Sequence, residues 1–181
     1  MFKLGDKIFY PGHGVALIEE ATLKAVSNAQ ITFFKLKFLY KDMTIWVPVS
    51  NVQNLGIRFL SSKDDINNHI KELYNSTNKI LRFVDFTPSG WNKRHKEYQL
   101  KIQKGKFTDL VYIYKDLMLI AQQKDLSFGE KGVLQTVEEL LYQEIQSVTG
   151  KEKDFILSEL HAPFKQFFIQ DAPIQNVGII S

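Results

Sequence analysis

Apolar positions in the first sixty residues tend to recur at every second place, whereas beyond Ser61 they recur every three to four. Runs rich in β-branched and aromatic residues at Lys7–Tyr10, Val15–Glu20, Ile31–Tyr40 and Met43–Val47 predict four strands. Pro11-Gly12-His13-Gly14 breaks the first run and Ser27-Asn28 the second, while Lys41-Asp42 joins the third and fourth as a hairpin. Phe34, Leu36 and Phe38 alternate with Lys35 and Lys37, so one face is expected to be buried and the other basic or wet. Short strands at this spacing suggest a small β barrel.

The helical half begins with Ser62 and Asp65, which resemble a capping box ahead of Ile66, Ile70 and Leu73 and predict a helix over residues 63–74. The domain boundary is expected within Asn54–Ser62. Asn75-Ser76-Thr77-Asn78 is turn-like, and Ile80–Phe86 is apolar enough to pack or pair. Thr87-Pro88-Ser89-Gly90 is expected to stop that segment just before a helix from Trp91 to Gln103, closed by Gly105. Phe107, Leu110, Val111, Tyr114, Leu117, Met118 and Ala121 follow the i, i+3, i+4, i+7 rhythm of an amphipathic helix. Ser127-Phe128-Gly129-Glu130 is a second capping box, opening a helix with an apolar stripe from Val133 to Val148 that Gly150 ends. Lys151–His161 gives one further helix. The tail from Ala162, with Phe164, Phe167 and Phe168, is too apolar for a free coil. The fold class read this way is α+β, with a barrel over 1–60, an all-α domain over 61–161 and a tail over 162–181.

Composition narrows the chemistry. The 181 residues include no cysteine, which removes thiol catalysis, disulfides and cysteine zinc sites. His13, His69, His95 and His161 are scattered without helical metal-site spacing. Gly12-His13-Gly14 lacks the third glycine and the strand–turn–helix setting of a phosphate loop. The doublets Glu19-Glu20, Asp64-Asp65 and Glu138-Glu139 point neighbouring carboxylates in different directions, and no serine has an identifiable base. Neither enzyme activity nor a cofactor or metal is expected. The N-terminus has no secretory pattern and no apolar run approaches a membrane span, so a cytoplasmic, monomeric protein without membrane contact is expected.

Charge is segregated. The chain totals +3, yet residues 91–106 hold six Lys or Arg against one Glu, and residues 107–181 carry five more acidic than basic side chains. A basic helix opened by Trp91 makes a local positive field that suits the phosphates of duplex DNA. The bland readings are a solvated helix face and a core tryptophan closing the bundle.

Four strings then stand out together: Phe2-Lys3-Leu4-Gly5-Asp6-Lys7-Ile8-Phe9-Tyr10-Pro11-Gly12-His13-Gly14-Val15-Ala16, Thr44-Ile45-Trp46-Val47-Pro48-Val49, Trp91-Asn92-Lys93-Arg94-His95-Lys96 and Leu126-Ser127-Phe128-Gly129-Glu130-Lys131. Over about residues 1–150, and in this order, the chain resembles the CarD/CdnL family of bacterial transcription regulators. The resemblance implies a Tudor-like barrel that binds the β subunit of RNA polymerase, a module shared with the transcription-repair coupling factor. It also implies a helical domain that engages promoter DNA at the upstream edge of the melting bubble and stabilises the open complex, with Trp91 as a minor-groove wedge. Wedge residues of this kind act by filling the gap where bases unstack.

On that reading Lys93, Arg94 and Lys96 hold adjacent phosphates, and Lys131, near a helix start, is a further phosphate contact. On the polymerase side the resemblance points to Lys24, with Val26 as its apolar neighbour, and to Trp46. Many relatives carry an arginine where this chain has Trp46, so that contact is not the same salt bridge. Ile80–Phe86 looks longer than the usual connector of the family, and the tail matches no family feature. The competing readings are an architectural DNA-binding protein acting without polymerase, and a helical adaptor whose lysines are only solvated.

Overall fold

The computed structural model describes residues 1–26, 29–76 and 84–165. Its N-terminal part is built from β1 (Lys7–Tyr10), β2 (Gly14–Val26), β3 (Ala29–Phe38), β4 (Thr44–Pro48) and β5 (Arg58–Phe59), with a one-turn 3-10 helix at Val49–Asn51. They form one antiparallel sheet in the order β4-β3-β2-β1-β5. Pro11–Gly14 is the turn joining β1 to β2, and Lys41-Asp42 lies in the β3–β4 connection. The expected turn at Ser27-Asn28 falls outside the described residues. β2 runs six residues beyond the expected Glu20, because Ala21–Val26 pair in full with Ala29–Phe34 although most of them are exposed. The ladder, not burial, holds that stretch. Between Ile18 and Glu20 the register slips, the mark of a bulge that bends and twists the strand.

Alternation on β3 comes out as the pattern requires: Phe34, Leu36 and Phe38 are buried, and they pack with Ile8, Ala16, Ile18, Val47, Val52 and Ile57. β5 had no signal of its own, since two residues carry no period and Arg58 reads as surface. It exists because Arg58 and Phe59 add to the free edge of β1 opposite Phe9 and Ile8.

Five helices follow: α1 (Lys63–Ser76), α2 (Pro88–Lys104), α3 (Phe107–Ala121), α4 (Phe128–Thr149) and α5 (Lys153–Lys165). Ser62 caps α1 through an Asp65 N–H bond of 3.1 Å. α2 begins three residues earlier than expected. Thr87 is its N-cap, accepting from the Gly90 N–H at 3.2 Å, and Pro88 occupies the first turn, where a missing N–H leaves nothing unpaired. Of the apolar connector Ile80–Phe86 only residues 84–86 are described, and Thr77-Asn78 also lies outside. α4 has both halves of its capping box and a left-handed Gly150 at its end. α5 corrects the expected tail, since Ala162–Lys165 continue the helix and Phe164 is wholly buried against Tyr114. Phe167 and Phe168 lie outside the described residues.

The two parts share a junction. Phe9 and Val15 pack into the helical core and not into that of the sheet. On α4, Gln143 and Glu144 are buried, and the side-chain oxygens of both accept hydrogen bonds from the N-terminal part. Gln143 Oε1 accepts from the Val15 N–H at 3.2 Å, over a Gly14 whose φ of 99° and lack of Cβ leave room for it. Glu144 accepts from Arg58 Nη1 and Nη2 at 2.6 and 2.7 Å and from the Ser61 N–H at 2.8 Å. Arg58 Nε donates to the Gly105 carbonyl at 2.7 Å, and its guanidinium lies 4.3 Å from the Phe9 ring centre. The Tyr40 and Ser147 hydroxyls share a hydrogen bond of 3.0 Å.

Because Phe164 fills the core beneath Tyr114, Phe164→Ala is expected to cost about 3–5 kcal/mol, the usual result of emptying a buried aromatic site. For a chain of this size that lowers the thermal midpoint by roughly 10 °C. A melt showing a drop under about 2 °C would return residues 162–165 to the tail.

Candidate nucleic-acid interface

The N-terminal ends of α2 and α4 meet at one end of the helical part, and a polar lattice fastens them. Glu130, the third residue of α4, is buried; it accepts from the Ser127 N–H at 2.8 Å and from Lys124 Nζ at 2.6 Å. Arg94 Nη2 lies 3.4 Å from the same carboxylate, while its Nη1 donates to the Asp85 carbonyl at 2.6 Å. Burial alone would raise the carboxyl pKa of Glu130. The Lys124 ammonium and the two Ser127 donors outweigh it and hold the group below the ordinary glutamate range.

That lattice sets the aromatic surface. The Trp91 ring is half-buried against α4, and a Cβ on Gly129 would sit 3.1 Å from its Cζ2, a tight contact that glycine relieves. His95, one turn along α2, lies 5.0 Å from Trp91 between ring centres, and Tyr98 lies 6.4 Å away. The ring is therefore neither sealed in the core nor free in solvent. Beside it Phe128 is 96% exposed, and Phe86 is 45% exposed. Phe128 was missed in the sequence as a surface residue, although the signal existed. It precedes Val133 by five residues, which places it about 140° around the helix from the apolar stripe.

The lysines sort into two sets. Lys93, Lys96 and Lys131 are exposed and enter no ion pair among the described residues, as is also true of Lys104 and Lys106. Lys101 is occupied by Asp109 at 3.2 Å and Glu97 at 3.8 Å. Arg94 is likewise occupied, with only 16% of its side chain exposed, so it fastens α2 to α4 and does not stand ready at the surface. Trp91 thus lies where the starts of α2 and α4 meet, Lys131 is in the first turn of α4, Lys93 and Lys96 are exposed on a side of α2 away from Trp91, and Arg94 is held between the two helices.

On the sheet, Lys24, Ile31, Phe33, Lys35 and Trp46 share the face opposite the sheet core. Lys24 Nζ sits 3.5 Å from the Trp46 ring centre and 5.9 Å from that of Phe33, a cation held on an aromatic plate. Trp46 is 39% exposed, and Val26, two residues beyond Lys24 on the same face, is also exposed. The structure thus joins Lys24 and Trp46 into one feature on the outer face of β2–β4, with Val26 near the β2–β3 tip.

The depressed pKa of Glu130 has a defined consequence. Its stabilising share is complete above the unfolded value of about 4.5 and is lost as pH falls through the lower folded value. Glu130→Gln is expected to lower the melting temperature at pH 7, with the gap to wild type closing below about pH 4. Parallel melting curves across pH 3–7 would contradict the lattice.

A model of the CarD-like/TRCF RID domain matches residues 2–61, and a model of the CarD C-terminal domain matches residues 83–161. The chain is also similar to the "Putative transcription factor YdeB" of Bacillus subtilis (strain 168), with 26% identity over 152 residues, covering 83% of this chain and 94% of that protein. None of the described helices is long and apolar enough to cross a membrane. The chain belongs to the CarD family of non-enzymatic transcription factors, with an N-terminal RNA polymerase-interacting domain followed by the family's C-terminal domain.

Proposed function

We propose that this protein works as a cytoplasmic monomer that docks on the β subunit of RNA polymerase and contacts promoter DNA with its helical domain, so lengthening the life of the open complex. Residues 1–60 provide the docking face through Lys24, Trp46 and Val26, and residues 61–161 provide the DNA contact. The observation that carries the reading is the end formed by α2 and α4. There a half-buried Trp91 rests on Gly129, the neighbour of exposed Phe128, while exposed and unpaired Lys93 and Lys96 lie on the outer side of α2 and Lys131 lies in the first turn of α4.

Each part has a physical role. Trp91 offers one ring edge to a widened base step while its other side stays braced on α4, and a braced wedge loses little freedom on binding. The three lysines neutralise phosphates and fix register without reading sequence. Arg94, the fourth cation expected there, acts through Glu130 as a positioning residue. Lys131 adds a phosphate contact close to the amide-rich start of α4. On the docking face, the Lys24–Trp46 stack presents a cation and an aromatic surface together, which suits an acidic patch edged by apolar side chains.

Open-complex lifetime on a promoter with unstable complexes tests this directly. Trp91→Ala is expected to shorten the lifetime by about tenfold, a typical effect of one interaction worth 1.4 kcal/mol, while β-subunit binding is kept. Lys24→Glu is expected to abolish β-subunit binding and leave affinity for free DNA unchanged. Lys93→Gln, Lys96→Gln and Lys131→Gln should each reduce the slope of log affinity against log salt by about 0.9, whereas Arg94→Gln should lower the melting point more than the slope. A wild-type protein that leaves the lifetime unchanged yet coats free DNA would favour an architectural binder instead.

A further inference from the structure

We infer that Arg58, Gln143 and Glu144 are positioning residues that lock the sheet and the helices into one rigid body. Docking on polymerase would then fix in advance where Trp91 meets the DNA. The purpose of the lock rests on the proposed function above, while its existence rests on the junction alone.

The argument starts from Glu144. Its carboxylate is fully buried, and the bonds it accepts come from the Arg58 side chain and the Ser61 N–H, in or just beyond the N-terminal sheet. Separation of the two parts strands that charge, because α4 offers it no replacement donor in this arrangement. Gln143, also buried, behaves similarly: the Val15 N–H meets its oxygen, and its amide nitrogen donates to Glu139 at 3.0 Å. Phe9 and Val15, both fully buried, complete the contact on the apolar side. Domains in one chain usually move relative to each other unless their interface is extensive and apolar. Here an apolar contact is combined with directional bonds that accept a single register.

The placement of the donors adds a second reason. Arg58 and Ser61 lie on the crossover from β5 to α1, so the segment joining the two parts is itself clamped onto α4. Arg58 also donates to the carbonyl of Gly105, between α2 and α3, where φ is 64° and a Cβ would crowd Pro11 and Phe9. The strand that would act as a hinge thus contacts α4 and the turn between α2 and α3. Two binding surfaces on a flexible joint gain only the effective concentration of the tether. Two surfaces on a rigid body also have their relative orientation set before binding, which is the advantage of preorganisation.

Inter-spin distances measured on the full chain test the lock, and the absence of cysteine leaves no background label. Spin labels at Lys37→Cys on β3 and Asn68→Cys on α1, both exposed, should give one narrow distance in wild type. Glu144→Gln keeps the shape but weakens the clamp. Arg58→Met with Glu144→Met removes both charges, so neither is left stranded. In either variant the distance distribution is expected to broaden, with binding to the β subunit and to a DNA duplex each unchanged. The gain in open-complex lifetime is expected to fall about tenfold, inside the usual range for coupling between sites. A broad wild-type distribution overturns the lock. So does a narrow one in both folded variants, whereas a broadened one with the full lifetime gain overturns the role of the lock in presenting Trp91. A wild-type protein that gives a narrow distance and no lifetime gain overturns the proposed function, and not the rigid body.

Discussion

A single buried carboxylate organises this molecule. Glu144 has no access to water, and an ionised group in that position is tolerable only when opposite charge and hydrogen bonds surround it. Arg58 and the Ser61 amide provide them, and in doing so they fix β5, the crossover and α4 to one another. Such a pair adds little net stability over an apolar filling, but removing one partner typically costs about 3–5 kcal/mol. Its contribution is therefore specificity of arrangement. The long α4 carries this clamp near its end and the Glu130 lattice at its beginning, so one rigid helix connects the junction to the aromatic surface.

Much of the fold was legible because local rules and tertiary packing agree. The Ser62 cap, the capping box at Ser127 and the glycines after α2 and α4 mark helix ends by satisfying backbone groups, a requirement independent of distant contacts. Phe34, Leu36 and Phe38 could be read from alternation alone. The junction could not. Phe9 and Val15 have the same apolar signature as their neighbours in the strands, and nothing local tells which core each will enter. Glu144 reads as one more acid in an acidic half, and Arg58 as one more surface cation, until the two are brought together across 86 residues of chain.

The candidate site shows the same division. Trp91 and the basic run are visible as composition, since an aromatic among cations is rare enough to notice. Which cations are available is a matter of pairing. Arg94 and Lys101 are held by Glu130 and Asp109, and the field at the surface comes from the lysines that lack such partners. Phe128 was hidden inside a capping motif whose Ser and Glu drew the explanation, although its angular position set it apart from the stripe. On the sheet, Lys24 and Trp46 are 22 residues apart in sequence and 3.5 Å apart in space, a meeting that depends on the register of β3 between them.

The clamped crossover also bears on how such a protein can be divided or recombined. A polymerase-binding module shared among different proteins invites the picture of a free-standing part, transferable by cutting near residue 60. In this chain the cut would sever Arg58 from Glu144 and bare Phe9 and Val15, leaving an apolar patch on one fragment and a stranded acid on the other. Exchange of this module between lineages therefore has to carry a matching surface for Phe9, Val15 and Arg58 along with it. In this chain the part that can be moved without baring the junction is the sheet together with the helix it leans on.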